Sequence, residues 1–288
     1  MSSMAKDVSY PDLANKSEHD LHDRLEVALM RVGAISLTTG WRHEDLAAPY
    51  WRLYCNPQGG ARIYPRHAGP LALQARQRYL IPPWLHFASD SIKGIRHVYC
   101  HFEVLGLSGT LLRELFPHPV PLRRDAGQES ALLAAGDALA SSGEVGLELA
   151  CAFKAAVFTA LGELLGALPT AQRHRVLAQV RRDLPVREAV EWIEAHLRDD
   201  LSNASIAARL RVGPDQAIRL FRRWLGQTPA AYVQERRIAA AAQRLAYSDD
   251  SIEDIASQNG FPNRHYLTRV FGRHMGLAPA AYRRAHAG

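Results

Sequence analysis

A repeat of about fifty residues near the C-terminus constrains this 288-residue chain more than any other feature. Ile206-Ala207 returns as Ile255-Ala256. Phe221, Arg223, Gly226, Pro229, Ala230, Ala231 and Tyr232 return as Phe271, Arg273, Gly276, Pro279, Ala280, Ala281 and Tyr282. The first pair is offset by one residue less than the later set, so one extra residue sits in the turn between them. Each copy reads as a short helix, a tight turn and a longer helix, which is a helix-turn-helix. The ends are marked. Thr228-Pro229 places a capping side chain before proline at a first helical position. Ser251-Ile-Glu-Asp254 resembles a capping box, and Gly226 and Gly276 stand where helices stop. Helices are expected at 186–198, 203–210, 214–225, 229–246, 252–258, 263–275 and 279–285.

The longer helix of each copy, projected at about 100° per residue, has one apolar side. In the first copy this is Ala217, Leu220, Phe221, Trp224 and Leu225; in the second it is Leu267, Val270, Phe271 and Met275. The opposite sides carry Asp215, Gln216, Arg219, Arg222 and Arg223, with Ile218 at the edge, and His265, Tyr266, Arg269 and Arg273, flanked by Thr268. A lone exposed arginine is usually a solvated charge. Two matched faces on a duplicated scaffold point instead to double-stranded DNA. Arginine pairs with guanine and glutamine with adenine, Ile218 or Thr268 can touch a thymine methyl, and further arginines hold phosphate. The connecting helix, about 18 residues or roughly 27 Å long, spaces the two readers for successive major grooves. Charge agrees in sign. The net charge is +6, and the 35 basic residues are arginine except for Lys6, Lys16, Lys93 and Lys154.

These residues resemble the DNA-binding domain of AraC/XylS-type bacterial transcription regulators over about a third of the chain, from about Val186 to Arg284. The stretch SIEDIASQNGFPNRHYLTRVFGRHMGLAPAAYRR carries the resemblance through Ile255-Ala256, Gly260-Phe261, Tyr266-Leu267, Arg269, Phe271, Gly276, Pro279 and Tyr282-Arg283. The resemblance implies that Asp215, Gln216, Ile218 and Arg219, then His265, Tyr266, Thr268 and Arg269, approach bases. It also implies contact with RNA polymerase and promoter activation. Three positions depart from the family pattern. Gly213 stands where a serine cap is common, Ala217 replaces a usual leucine, and Asp215 repels phosphate unless it meets a cytosine amine.

The first half has a different texture. YWRLYC, ARIYP, RYLIPPW and HVYCHFEVL are short runs rich in aromatic and branched residues, separated by turn residues. They read as antiparallel strands closing into a barrel or jelly roll. This half loosely resembles the cupin-like sensor domains of the same family, which are followed by dimerisation helices. The expected class is therefore α+β with two domains: a cupin-like β-barrel with dimerisation helices at 1–168, a linker at 169–185, and an all-α double helix-turn-helix at 186–288. Residues 1–16 read as an arm, 17–32 as a short amphipathic helix and 130–140 as another helix. In 147–168, positions 147, 151, 154, 158, 161, 165 and 168 form a heptad seam broken only by Lys154, so a homodimer is expected there.

Alternation puts His97, Tyr99 and His101 on one strand face, with Val98, Cys100 and Phe102 opposite. With His86, Trp51, Arg52 and Tyr54 they are candidates for binding a small-molecule effector, a sugar or an aromatic compound. A metal is not expected. His97 and His101 lie about 13 Å apart on an extended strand, and Glu103 adds only a weak ligand. No other cofactor is implied. A cupin-type metalloenzyme fused to a DNA-binding domain, and an effector-independent regulator with a protein-interaction barrel, are the alternatives. Hydrophobic content of 47% and charged content of 22% fit a folded domain protein. No run of about 18 uncharged apolar residues predicts a membrane span, and the N-terminus has no apolar core like that of a secretory signal. Cys55, Cys100 and Cys151 are too scattered for a disulfide framework, so a reducing cytoplasm is the expected compartment.

Overall fold

The computed structural model describes residues 25–37, 42–92, 94–180 and 184–286, with the side chains of 42–46 excepted. The expected arm at 1–16 lies outside these residues. The chain has two domains, antiparallel sheets first and a helical pair of helix-turn-helix units after.

The first domain contains β1 (Glu26–Leu37), β2 (Arg42–Leu46), β3 (Trp51–Cys55), β4 (Ala61–Pro65), β5 (Leu71–Leu73), β6 (Arg78–Ile81), β7 (Phe87–Ser91), β8 (Ile95–Leu105) and β9 (Val120–Pro121). They form a five-stranded sheet, β1-β8-β3-β6-β9, and a four-stranded sheet, β2-β7-β4-β5. Alternation divides each strand between two environments. Leu37, Tyr54, Tyr79, Ile81 and Tyr99 of the larger sheet meet Ala61, Ile63, Leu73 and Phe87 of the smaller. Trp51, Leu53, Leu80, Val98, Cys100 and Phe102 point the other way, onto helices.

Those helices are α1 (Gly109–Leu115), α2 (Ala126–Ser142) and α3 (Leu147–Gly166). Gly136 of α2 lies against Val98, where an added Cβ would come within 2.7 Å of the valine side chain. That approach requires glycine. Phe153, Ala156, Val157, Ala160, Leu161 and Leu164 turn α3 onto the sheet. The buried Arg78 pairs with Glu163 at 2.7 Å across that packing. By length and composition α3 is apolar enough to cross a membrane, but it owes much of this to the residues it packs on the sheet.

The expected helix at 17–32 is corrected from residue 26 onward. Residues 26–37 are a long strand, β1, which pairs antiparallel with β8 from Glu26–Leu105 to Leu37–Ile95. A neighbouring edge of eleven residues satisfies its backbone groups, and that outweighs the weak helical periodicity. Residues 17–24 lie outside the described residues. The connection between the domains is itself partly helical, as α4 (Thr170–Val180).

The second domain follows the expected order closely: α5 (Arg187–Ala195), α6 (Asn203–Arg209), α7 (Pro214–Leu225), α8 (Pro229–Tyr247), α9 (Ile252–Gln258), α10 (Arg264–Met275) and α11 (Pro279–His286). The punctuation works as its chemistry dictates. The Thr228 hydroxyl accepts from Ala231 N, the Ser251 hydroxyl accepts from Asp254 N, and Gly226 and Gly276 take the left-handed conformation. Helix α8 serves both copies. Its Tyr232 and Val233 join a core with Ile193, Ile206 and Phe221. Its Ile238, Ala242 and Leu245 join another with Ile255, Leu267 and Phe271. Arg237 donates to the carbonyls of Leu197 (2.8 Å) and Asp199 (2.6 Å). Gly260, left-handed at φ 73°, lies against Arg237 and the Leu197 carbonyl, where a Cβ would collide. The two units are thereby tied through backbone as well as apolar packing.

Candidate nucleic-acid interface and sensor face

Helix α7 buries Ala217, Phe221 and Leu225, and α10 buries Leu267, Val270, Phe271 and Met275. Each helix is thereby rotated so that its polar side meets solvent. Asp215, Gln216, Arg219, Arg222 and Arg223 are exposed, with Ile218 at the half-buried edge. His265, Thr268, Arg269 and Arg273 are exposed and Tyr266 is half-buried. The Gln216 amide oxygen accepts from both Nε (3.0 Å) and Nη2 (2.7 Å) of Arg219. This leaves the amide NH2 and one guanidinium edge unused by that pair on an exposed face. In α10 the Arg269 guanidinium sits 5.1 Å from the Tyr266 ring centroid, a cation–π contact that holds its fork in place. Entry to the two helices differs. Asn263 Oδ1 accepts from Tyr266 N at 2.9 Å, whereas α7 starts at Gly213 with no side-chain cap. First-turn amides of α7 therefore remain available to phosphate.

The sensor candidates divide. Arg52 and Tyr54 on β3, and His97, Tyr99 and His101 on β8, share the face turned to the smaller sheet. Tyr54–His97 ring centroids are 4.5 Å apart, His97–Tyr99 5.5 Å and Tyr99–His101 4.8 Å. Trp51 does not join them. It alternates onto the helix side, against Phe102 and Phe116. His86 also stays apart, in a surface cleft of about 220 Å³ with His67, Trp84, Arg113 and His118. Burial pushes the His97 imidazole down to about 3, so it is neutral, with Nδ1 2.8 Å from Asn56 Oδ1. Burial, then the nearby Arg52, also holds His101 well below the usual histidine range.

Sequence reasoning missed that this face is completed by the second domain. Tyr247 at the end of α8 bonds His101 through its hydroxyl, 3.1 Å from Nδ1. Tyr50 lies between them, 4.9 Å from His101 and 6.1 Å from Tyr247, centroid to centroid. Ala285 of α11 packs on the apolar residues between the sheets. No local pattern flags Tyr247. Tyr282 was visible as a repeated residue, without its neighbours.

The domains also clasp around α1. Glu235 of α8, buried, accepts from Gly109 N (2.9 Å) and pairs with Arg113 (2.8 Å). Ser108 donates to the Leu225 carbonyl at 3.2 Å, and Gln179 donates to the Trp224 carbonyl at 3.0 Å. Arg236 bridges Glu103 (2.6 Å) and Glu194 (2.7 Å).

A helix-turn-helix domain family model matches residues 206–285. The uncharacterized HTH-type transcriptional regulator YbfP of Bacillus subtilis is 35% identical over 98 residues, 34% of this chain and 33% of that protein. The probable transcription factor PqrA of Proteus vulgaris is 32% identical over 100 residues, 34% of this chain and 82% of that protein. The chain spans only about a third of the length of the first curated relatives it matches. In fold, the crystal structure of ToxT from Vibrio cholerae aligns with 91% of this chain and 98% of its own, at a TM-score of 0.53 and 14% identity. A ToxT crystal structure has also been solved with an unsaturated fatty acid bound.

Proposed function

The chain belongs to the AraC/XylS family of transcription regulators, and from that premise we propose that it is a sequence-specific regulator answering to a small-molecule effector. DNA binding is the family's activity. What carries the specific reading is the pair of outward faces on α7 and α10, turned to solvent by equivalent buried phenylalanines, Phe221 and Phe271. Asp215, Gln216, Ile218 and Arg219, with His265, Tyr266, Thr268 and Arg269, are the proposed base readers. Arg222, Arg223 and Arg273 are the proposed phosphate contacts.

The proposed sensor is the cupin-like pair of sheets, with Arg52, Tyr54, His97, Tyr99 and His101 toward the effector. Ligand binding by a protein of ToxT fold supports an effector site of this kind. Effector binding would act by shifting the population of domain arrangements, since the sensor face and the second helix-turn-helix share Tyr247 and α11. Homodimerisation through α3, activation through RNA polymerase and action in the cytoplasm complete the proposal. Turnover is not part of it, because His97 and His101 lack the spacing a metalloenzyme needs. Selection of binding sites from random DNA by the full chain tests the core of this reading. A long, asymmetric enriched sequence with two blocks about one helical turn apart is the expected result. No enrichment would refute it.

A further inference from the structure

The surface cleft that holds His86 lies apart from the sensor face, and every residue lining it belongs to the first domain. Its volume is about 220 Å³. Drug-sized ligands usually take roughly 300–1,000 Å³, so this cleft suits a small one. Three segments of chain meet around it. Arg66 and His67 follow β4, Trp84 and His86 lie between β6 and β7, and Arg113 and His118 come from α1 and its exit. The segments are tied to one another. The Arg66 amide donates to the His86 carbonyl at 3.0 Å. Trp84 is left-handed at φ 65°, with its amide donating to the Ala48 carbonyl at 2.7 Å. The Arg113 guanidinium stands 5.4 Å from the Trp84 ring centroid.

The lining is one-sided in charge. It contains two arginines and three histidines, and no acidic side chain is found among the described residues that line it. Acids close by in the chain are engaged elsewhere. Asp90 accepts from the Tyr64 hydroxyl at 2.8 Å, and Glu114 pairs with Arg175 at 2.6 Å. Arg113 does have a carboxylate partner, but on one nitrogen. Its bonds to Glu235 (2.8 Å) and to the Thr110 hydroxyl (3.3 Å) both use Nη2. Its Nε and Nη1 keep N–H groups for a ligand, and its side chain is 43% exposed. A concave surface of one sign concentrates the opposite charge.

We propose that this cleft is a second ligand site, for a small phosphomonoester with an apolar or aromatic body. The proposal goes beyond the regulator reading and does not depend on it. Donors come from three separate segments. A phosphate offers three terminal oxygens and nearly two charges at neutral pH, so each segment meets an oxygen. Arginine can hold two of those oxygens in parallel. A carboxylate is planar with two oxygens and leaves one segment without an acceptor. Trp84, Leu85 and Phe116 give the ester's body an apolar wall. The shared Arg113 supplies a signature. Ligand and Glu235 of α8 compete for the same guanidinium, so binding is linked to the clasp between the domains.

The test is isothermal titration calorimetry of the full chain at pH 7.5 and fixed ionic strength. The probes are phenyl phosphate, inorganic phosphate, benzoate and phenol. Phenyl phosphate is expected to bind saturably, one per chain, and about tenfold or more tighter than each of the others. Arg66 and His118 are exposed, so Arg66→Gln and His118→Gln should keep the wild-type Tm. Each should weaken phenyl phosphate about fivefold or more. Glu235→Gln keeps an acceptor for the Gly109 amide but releases Arg113, and should tighten binding about threefold. The proposal fails if phenyl phosphate does not saturate, or if inorganic phosphate, benzoate or phenol binds as tightly. It fails equally if Arg66→Gln or His118→Gln leaves the affinity unchanged, or if Glu235→Gln does not tighten it.

Discussion

Arg219 and Arg269 occupy equivalent places on α7 and α10 but are held differently, one by the Gln216 amide and the other by the Tyr266 ring. Loss of either should weaken specific binding by roughly 1–3 kcal/mol and relax base preference at one position. Arg269→Ala, read by competition binding against single-base operator variants, is expected to flatten one position only. Arg273→Ala should instead weaken all sequences alike and lower the salt slope by about 1. At the same scale, His97 links stability to pH. Its folded value of about 3 lies far below the unfolded value of roughly 6.5. Above pH 6.5 both states are neutral at this site. Below it the unfolded chain takes up a proton that the folded chain refuses, so stability falls with falling pH. Between pH 7 and 5.5 this one group contributes a loss of about 1 kcal/mol. Urea unfolding at the two values should show it, and His97→Gln should remove that part of the slope. The exposed faces of α7 and α10 were legible in the sequence because helical periodicity fixes which side is buried. Trp51 falls on the helix side, apart from Arg52 and Tyr54, because alternation says that neighbours differ, not which of them faces the smaller sheet.

At the scale of elements, α3 shows how one helix serves two surfaces. Its heptad seam was plain in the sequence, yet the structure splits it. Leu161 is buried on the sheet and Leu165 and Leu168 pack beside the same core, while Leu147, Cys151, Lys154 and Phe158 remain exposed. The chain's own larger sheet therefore uses the C-terminal end of the seam, and its N-terminal end is left exposed. Leu147 is 87% exposed and Phe158 44%, on a helix otherwise committed to packing. If a homodimer forms there, Phe158→Glu should yield monomers in sedimentation equilibrium without changing the far-ultraviolet circular dichroism. A wild-type chain that is monomeric at high micromolar concentration would count against dimerisation through α3. Strands β3, β4, β6 and β8 were legible for a related reason, since turn residues bounded each one. Strand β1 was not, because its pairing with β8 spans most of the domain and leaves little local trace.

At the scale of the molecule, the decisive feature is the one that no local pattern announces. The DNA-binding domain is seated on the first domain at two points along α8, through Glu235 on α1 and through Tyr247 on His101. Partners more than a hundred residues apart cannot be read from periodicity. They follow only from the meeting of the two domains. Glu235 is the most exacting of these contacts, because its carboxylate is buried and fills the space beside Gly109, where even a Cβ would come within 2.8 Å of it. Glu235→Ala strands the Gly109 amide. The charge-assisted bond it loses is worth about 1.5–3 kcal/mol, with the half-exposed Arg113 partner left out of that figure because water can replace the carboxylate there. That energy acts on the seating of the domains, since both of these partners, Gly109 and Arg113, lie on α1 of the first domain. The equilibrium should therefore move toward separated domains by roughly ten- to a hundredfold. Hydrogen exchange at α1 and around α8 is expected to quicken while the amides of β3 and β8 keep their protection. Affinity for the selected DNA site, measured without effector, should rise if seating on α1 restrains α7. Unchanged exchange at α1 would mean that the clasp is not what holds the domains together, and that the contacts of Tyr247 and of Ala285 on α11 hold them instead.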